Sequence, residues 1–168
     1  YYAYDDGVAE NGYGLTSTSA KLYLAYRFDL PMEDTLVAID ICFNRTRGDE
    51  NAQIPFNLCI WSNEGGCPGI TLYKDPVQQF TEVGGINSYV RYKLTTPQLV
   101  NGSIFVGFEQ ANNAYINIGF DRNNDVSDRI YYRTATSWQR SILKGALMMR
   151  PCFGQFALSD ISSPTPKD

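Results

Sequence analysis

Histidine is absent from all 168 residues. This excludes the Ser-His-Asp and Cys-His nucleophile systems and the hydrolases that hold zinc through imidazole. A phosphate cradle is missing too, because Gly65-Gly66 is followed by neither Lys-Ser/Thr nor a helical pattern. No apolar run approaches the ~20 residues of a membrane-crossing helix. Basic residues are few, with 14 Lys and Arg against 18 Asp and Glu for a net charge of −4. They form no cluster dense enough to follow a phosphate backbone, so nucleic acid is not an expected partner. No stretch holds a 3.6-residue apolar period. The opening Tyr1-Tyr2-Ala3-Tyr4-Asp5-Asp6 has neither the charged start nor the apolar segment of a signal peptide, and there is no initiator Met. The expectation is a piece of a longer protein, with any export signal outside it.

Aromatic residues and turn formers are plentiful: 12 Tyr, 9 Phe, 14 Gly and 8 Pro. Aromatic side chains suit pleated, half-buried surfaces, and frequent Gly and Pro cut a chain into short elements. Strict alternation confirms the period. Leu22, Leu24, Tyr26 and Phe28 share one strand face, as do Val37, Ile39, Ile41 and Phe43, and Ile54, Phe56, Leu58 and Ile60. Further short strands are expected over 70–73, 77–80, 89–94, 103–109, 114–120, 129–133 and 146–153. Residues 63–69 read as a loop, and Asn112-Asn113 as a hairpin turn. Asn101-Gly102 is no clean hairpin, because Thr96-Pro97 interrupts the run before it. Strands at such spacing predict an all-β fold: an antiparallel, jelly-roll-like β-sandwich of about nine or ten strands. One domain is expected over 1–158. The Ser- and Pro-rich 159–168 reads as a linker toward a further domain.

Four cysteines permit two disulfides. Cys42, Cys59 and Cys152 each lie on the second face of an alternating strand, while Cys59 and Cys67 bracket a short loop. Pairing 59–67 leaves 42–152, whose closure of ~110 residues would stabilise by ~4–5 kcal/mol in the chain-entropy model. The alternatives are a cross-strand Cys42–Cys59 bridge and four free, half-buried thiols. No C-x2-C pair occurs, which removes the commonest zinc spacing.

Glu109 and Asp121 are the carboxylates a glycosidase would need facing each other across a cleft, but both read more simply as strand ends. Two acidic clusters, Asp5-Asp6-Gly7-Val8-Ala9-Glu10 and Asp121 to Asp128, offer the hard oxygens calcium prefers. Asp6, Glu10, Asp121 and Asp125 are therefore the candidate ligands of a structural calcium. Trp61, Tyr115 and Trp138 are candidates for stacking on a sugar ring, with amide side chains nearby. The competing reading is that these aromatic residues seal a second face of the sandwich. Asn44-Arg45-Thr46 and Asn101-Gly102-Ser103 match the N-glycosylation pattern, which is short and frequent by chance.

Several segments occur in a suggestive order. They are Tyr4-Asp5-Asp6-Gly7-Val8-Ala9-Glu10-Asn11-Gly12-Tyr13, Ala25-Tyr26-Arg27-Phe28, Ile60-Trp61 ahead of a Gly-Gly-x-Pro-Gly turn, Ile104 to Gln110, Asn117 to Asp121, and Gly145 to Pro151. Together, across about residues 3–154, they resemble a β-sandwich domain of large secreted or surface proteins of Bacteroidetes, which lies just before a sorting domain for type IX secretion. The resemblance implies an exported, non-catalytic accessory domain, secreted or at the cell surface, whose partners are neighbouring domains of the same longer chain. It supplies no catalytic or ligand residues. The alternative function is a carbohydrate-binding or adhesin-like module that engages a glycan or host surface. In these segments Gly107 and Gly119 are expected to mark a bulge or close backbone approach. Arg150 is expected to pair with Asp6 or Glu10.

Overall fold

The computed structural model describes residues 2–15, 21–44, 53–112 and 114–154. The expected linker 159–168, the end of the 1–158 domain, Arg45-Thr46 and Asn113 lie outside the described residues. Among the described residues thirteen strands are formed: β1 (Asn11–Tyr13), β2 (Leu22–Asp29), β3 (Asp34–Ile41), β4 (Pro55–Glu64), β5 (Cys67–Lys74), β6 (Gln79–Phe80), β7 (Val90–Val100), β8 (Ser103–Gln110), β9 (Ile118–Asp121), β10 (Ile130–Arg133), β11 (Gln139–Arg140), β12 (Ala146–Leu147) and β13 (Met149–Phe153). The sole helical element described is a 3-10 turn at Ser127–Arg129.

All strand pairings among the described residues are antiparallel, and the chain is an all-β sandwich. A seven-stranded sheet runs β11-β10-β2-β8-β4-β5, with β6 also paired to β4. It faces two three-stranded sheets, β1-β9-β12 and β13-β3-β7. Backbone bonds Gly119 N–Cys42 O (2.8 Å), Met148 N–Gly119 O (2.9 Å) and Cys42 N–Met148 O (3.0 Å) stitch the two small sheets together. The core between the layers takes Leu24, Tyr26 and Phe28 from β2, Phe56, Leu58 and Ile60 from β4, and Ile104, Val106 and Phe108 from β8. These are the faces that strict alternation defines, because a period of two places every second side chain on one side of a pleated strand.

Four local expectations are corrected. Val37 is only half-buried, and Leu36 takes the core position. The register between β3 and β7 shifts between Leu36 and Ala38, and such a bulge inverts the parity of everything before it. The loop expected at 63–69 shrinks to Gly65-Gly66. Both glycines take positive φ (62° and 90°), the backbone a two-residue hairpin turn demands, so β4 and β5 run on to Glu64 and from Cys67. Asn112-Asn113 does not close a hairpin: β8 pairs with β2 and β4, whereas β9 pairs with β1 and β12 in the other layer. The run 146–153 divides into β12 and β13, which join different sheets.

Asp75 is fully buried at the turn after β5. Its carboxylate accepts bonds from Thr95 N (2.7 Å), Thr95 Oγ1 (2.7 Å), Val77 N (2.9 Å) and the Tyr73 hydroxyl (3.1 Å). One side chain thus joins the large sheet to β7 in the opposite layer. Burial alone would raise its pKa, but the donors led by Thr95 outweigh burial and hold it below the usual value. A depressed carboxylate stabilises the fold above its unfolded pKa, and that stability is lost as pH falls through the folded value. Asp75→Ala should cost about 2–4 kcal/mol at neutral pH, by stranding the Thr95 donors, and should flatten the acid limb of the stability curve below about pH 4. Urea unfolding at several pH values measures both effects, and an unchanged midpoint would rule out this role.

Candidate functional site

The two acidic clusters of the sequence meet in space. The carboxylates of Asp6, Glu10 and Asp121 approach within 4.8 Å of one another. Asp121 is buried at the end of β9, and Asp6 and Glu10 arrive on the exposed segment that leads into β1. The pairing of β1 with β9 brings them together, with Asn11 opposite Phe120. Asp125 is not in the cluster and caps its own turn through Ser127 N (3.0 Å).

Every carboxylate in the cluster already has N–H donors. Asp121 accepts from Asp6 N (2.9 Å), Asn123 N (2.7 Å) and Asn124 Nδ2 (2.7 Å). Burial raises the Asp121 pKa, but these donors, Asn124 foremost, outweigh it and hold the acid low. Asn123 Nδ2 bridges Glu10 (3.0 Å) and Asp6 (3.3 Å), and Arg122 N caps Glu10 (2.9 Å). The cluster therefore closes the first loop onto the turn after β9 by hydrogen bonds. The same atoms supply three carboxylates and a neighbouring amide, the oxygen-rich set that calcium takes.

Arg150 pairs with neither Asp6 nor Glu10. Its guanidinium grips Asp5, with Nη2–Oδ2 at 2.6 Å and Nε–Oδ1 at 3.2 Å, and lies 4.3 Å from the centre of the Tyr89 ring. The Tyr89 hydroxyl donates to the same Asp5 oxygen. Burial first, and then this bond to a carboxylate, push the Tyr89 pKa far upward. Asp5 is the carboxylate that sequence reasoning passed over, since nothing local separates it from Asp6.

Glu109 and Asp121 do not face each other. Glu109, on β8, binds Lys74 (3.1 Å) and Lys21 (3.3 Å), whereas Asp121 serves the loop closure in the other layer.

The aromatic candidates separate into two places. Trp61 is 2% exposed and lies in a second cluster on the outer face of the large sheet, with Ala25, Cys59, Phe105 and Tyr131. Trp138 covers it edge-on at 5.2 Å and also meets Tyr23 at 6.1 Å. The Arg133 guanidinium closes the stack, 4.1 Å from Tyr23 and 5.3 Å from Trp138. A ligand ring could reach Trp61 only by displacing Trp138. Tyr115 lies elsewhere, with its ring against the backbone of Gly14, where an added Cβ would come within 2.4 Å of it.

Near Gly14 the structure opens a cleft of about 400 Å³ between β1 and the β10–β11 hairpin. Tyr13, Leu15, Tyr132, Gln139 and Leu143 line it. The sequence held no signal for this site, because its residues come from three segments that are unremarkable one by one. No family model, curated protein or solved structure matches the chain. The fold itself defines the class of the protein: an antiparallel β-sandwich with a hydrogen-bonded acidic clasp and a separate uncharged cleft.

The cysteines form no disulfide, and all four thiols are free. The expected pairs fail on geometry. Cys152 stands opposite Ala38, four residues from Cys42 along β3 and its extension, so the two are ~13 Å apart at ~3.3 Å per residue. Cys67 stands opposite Glu64, five positions along β4 from Cys59. A bridge needs Cα atoms within ~7 Å. Cys42 and Cys59 belong to opposite layers, on faces turned away from the core. Burial pushes the thiol pKa of Cys42 and Cys152 to about 11 and that of Cys59 to about 12. Only Cys67 is exposed. Ellman's reagent should therefore titrate one thiol in the native protein and all four after denaturation. A mass deficit of two hydrogens in the unreduced protein would contradict this geometry.

Proposed function

We propose that this chain is a non-catalytic accessory domain of an exported bacterial cell-surface or secreted protein, working beside neighbouring domains of the same longer chain. The observation that carries the reading is the use made of its charged side chains. Asp5 is held by Arg150, Asp40 by Arg91 (2.8 Å), Asp29 by Arg129 (2.7 Å), Glu109 by Lys74 and Lys21, and Asp75 by Thr95. Each pair joins segments distant in sequence, so these charges support architecture. The sequence adds the missing histidine and the ordered family-like segments. No helix among the described residues is long and apolar enough to cross a membrane.

Two measurements test the reading. The purified domain should turn over no ester, peptide, phosphoester or glycoside substrate, and the parent protein should fractionate with the cell surface or medium. Turnover lost on Glu109→Gln or Asp121→Asn, or retention of the parent in the cytoplasm, would overturn it.

A structural calcium at Asp6, Glu10 and Asp121 belongs to this proposal, favoured by the convergence of two acidic loops more than a hundred residues apart. Calcium should raise the melting midpoint above that in chelator, and Glu10→Gln should remove the difference. Equal midpoints would delete calcium and leave the accessory role standing.

A second reading, a carbohydrate-binding or adhesin-like module, is favoured by the cleft beside Gly14. It engages a glycan or host surface without changing it chemically.

A further inference from the structure

The cleft between β1 and the β10–β11 hairpin combines features that single out one ligand chemistry. Its volume of about 400 Å³ falls within the ~300–1,000 Å³ of ordinary small-molecule sites. Every lining side chain is uncharged, in a chain whose net charge is −4. An ionic ligand would leave its charge there without a counter-charge, which is costly in a partly desolvated site. The ligand that fits is neutral.

The surfaces are of two kinds. Tyr13 is buried and packs on Phe120 at the base of the cleft, while Tyr132 stands half-buried on the core-facing side of β10 and is the more accessible ring. Ile142 and Leu143 are 87% and 51% exposed on the approach to the cleft, more apolar surface than a loop needs for its own packing. Between these walls lies a polar strip. Tyr132 and Gln139 are direct cross-strand partners, and the Tyr132 hydroxyl donates to Gln139 Oε1 at 2.9 Å. This bond fixes the orientation of the amide. It leaves the Gln139 Nε2 hydrogens, which have no partner among the described residues, as donors, and the Tyr132 oxygen as an acceptor. Ser141 is buried, with its hydroxyl tied to Leu143 N at 3.2 Å and to the Tyr13 hydroxyl.

A pyranose ring has the matching pattern. Its C–H face packs on aromatic and aliphatic surface, and its hydroxyls around the rim both donate and accept. A lipid chain would leave the oriented amide unused, and an apolar peptide side chain would use only one wall. We infer that this cleft binds a neutral saccharide unit, with Tyr132, Ile142 and Leu143 as the apolar surface and Gln139 as the oriented hydrogen-bonding group. The inference rests on the binding-module reading and moves its site. Trp61 and Trp138 are committed to each other on the outer face, so the sugar platform lies instead in this cleft, with Tyr115 packed against its Gly14.

The test is titration of the intact domain with neutral oligosaccharides identified on a glycan array, followed by heteronuclear NMR. Wild type should bind at least one neutral glycan and shift the resonances of residues 13–15, 132 and 139–143. Gln139→Ala should weaken binding by about tenfold, the loss of hydrogen bonds to a fixed amide. Tyr132→Phe keeps the ring but frees the amide, and should weaken binding by a smaller factor. Met32→Ala, at an exposed site outside the cleft lining, and Trp138→Ala should leave affinity unchanged; the melting midpoint shows that each variant is folded. If glycans bind but only Trp138→Ala abolishes binding, the cleft is wrong and the binding-module reading survives. If no neutral glycan binds, both fall and the accessory reading stands alone. Binding confined to charged glycans or lipid vesicles also overturns the inference.

Discussion

Across the middle of the large sheet, Tyr131, Ala25, Gly107 and Cys59 stand side by side on four hydrogen-bonded strands. Three of these four side chains are small, and the rest of the molecule depends on that row. A Cβ on Gly107 would lie 1.9 Å from the Leu24 carbonyl oxygen, so β8 can approach β2 as closely as it does only without one. The low row also leaves a trough on the outer face. Trp61 and Phe105 rise from the neighbouring row, and Tyr131 at the end of this one. Trp138 then covers the indole of Trp61. The central strands are consequently buried on both faces, although the sandwich has only two layers.

With its centre sealed on both sides, the chain brings its long connections in by charge and aromatic contact. Tyr2 N bonds Pro151 O at 3.2 Å, the Tyr4 ring stacks on Phe28 at 5.1 Å, and Arg129 lies 4.9 Å from the centre of the Tyr4 ring. Asp5 and Arg150 close the same segment onto β13. A buried pair of this kind is costly to break, because either partner left alone is an uncompensated charge. The acidic clasp of Asp6, Glu10 and Asp121 repeats the logic with backbone N–H groups in place of a guanidinium. These devices bind together parts of the chain that lie more than a hundred residues apart, and they use up ionisable groups that would otherwise be candidates for chemistry. One recess among the described residues, where the β10–β11 edge of the large sheet meets β1, is lined by uncharged side chains alone.

The strand faces of β2 and β4 could be read directly, because burial on one side of a pleated strand imposes a period of two on apolar residues. The reading failed at Val37, where a bulge inverts parity, and at Asn112-Asn113, where a turn-forming pair joins two layers instead of two partners. It also left Trp61 ambiguous. Parity placed that residue on the outer face, but nothing near it in sequence announces that Trp138 will cover it. The acidic candidates fared in mixed fashion. Three of the four converge, and the fourth, Asp125, caps its own turn. The cysteine pairs were plausible by loop length alone, and strand register removed them.

The sequence by itself determined the class of this protein: all-β, layered, without histidine chemistry and with strands of known facing. These are local properties, written in alternation, composition and turn residues. Only the tertiary structure decided which loops meet, which aromatic residues are covered, that the thiols stay apart, and where an uncharged cleft opens. Each of those outcomes depends on register between strands distant in the chain. A shift of one residue in register exchanges the two faces of a strand, and no local pattern reports it.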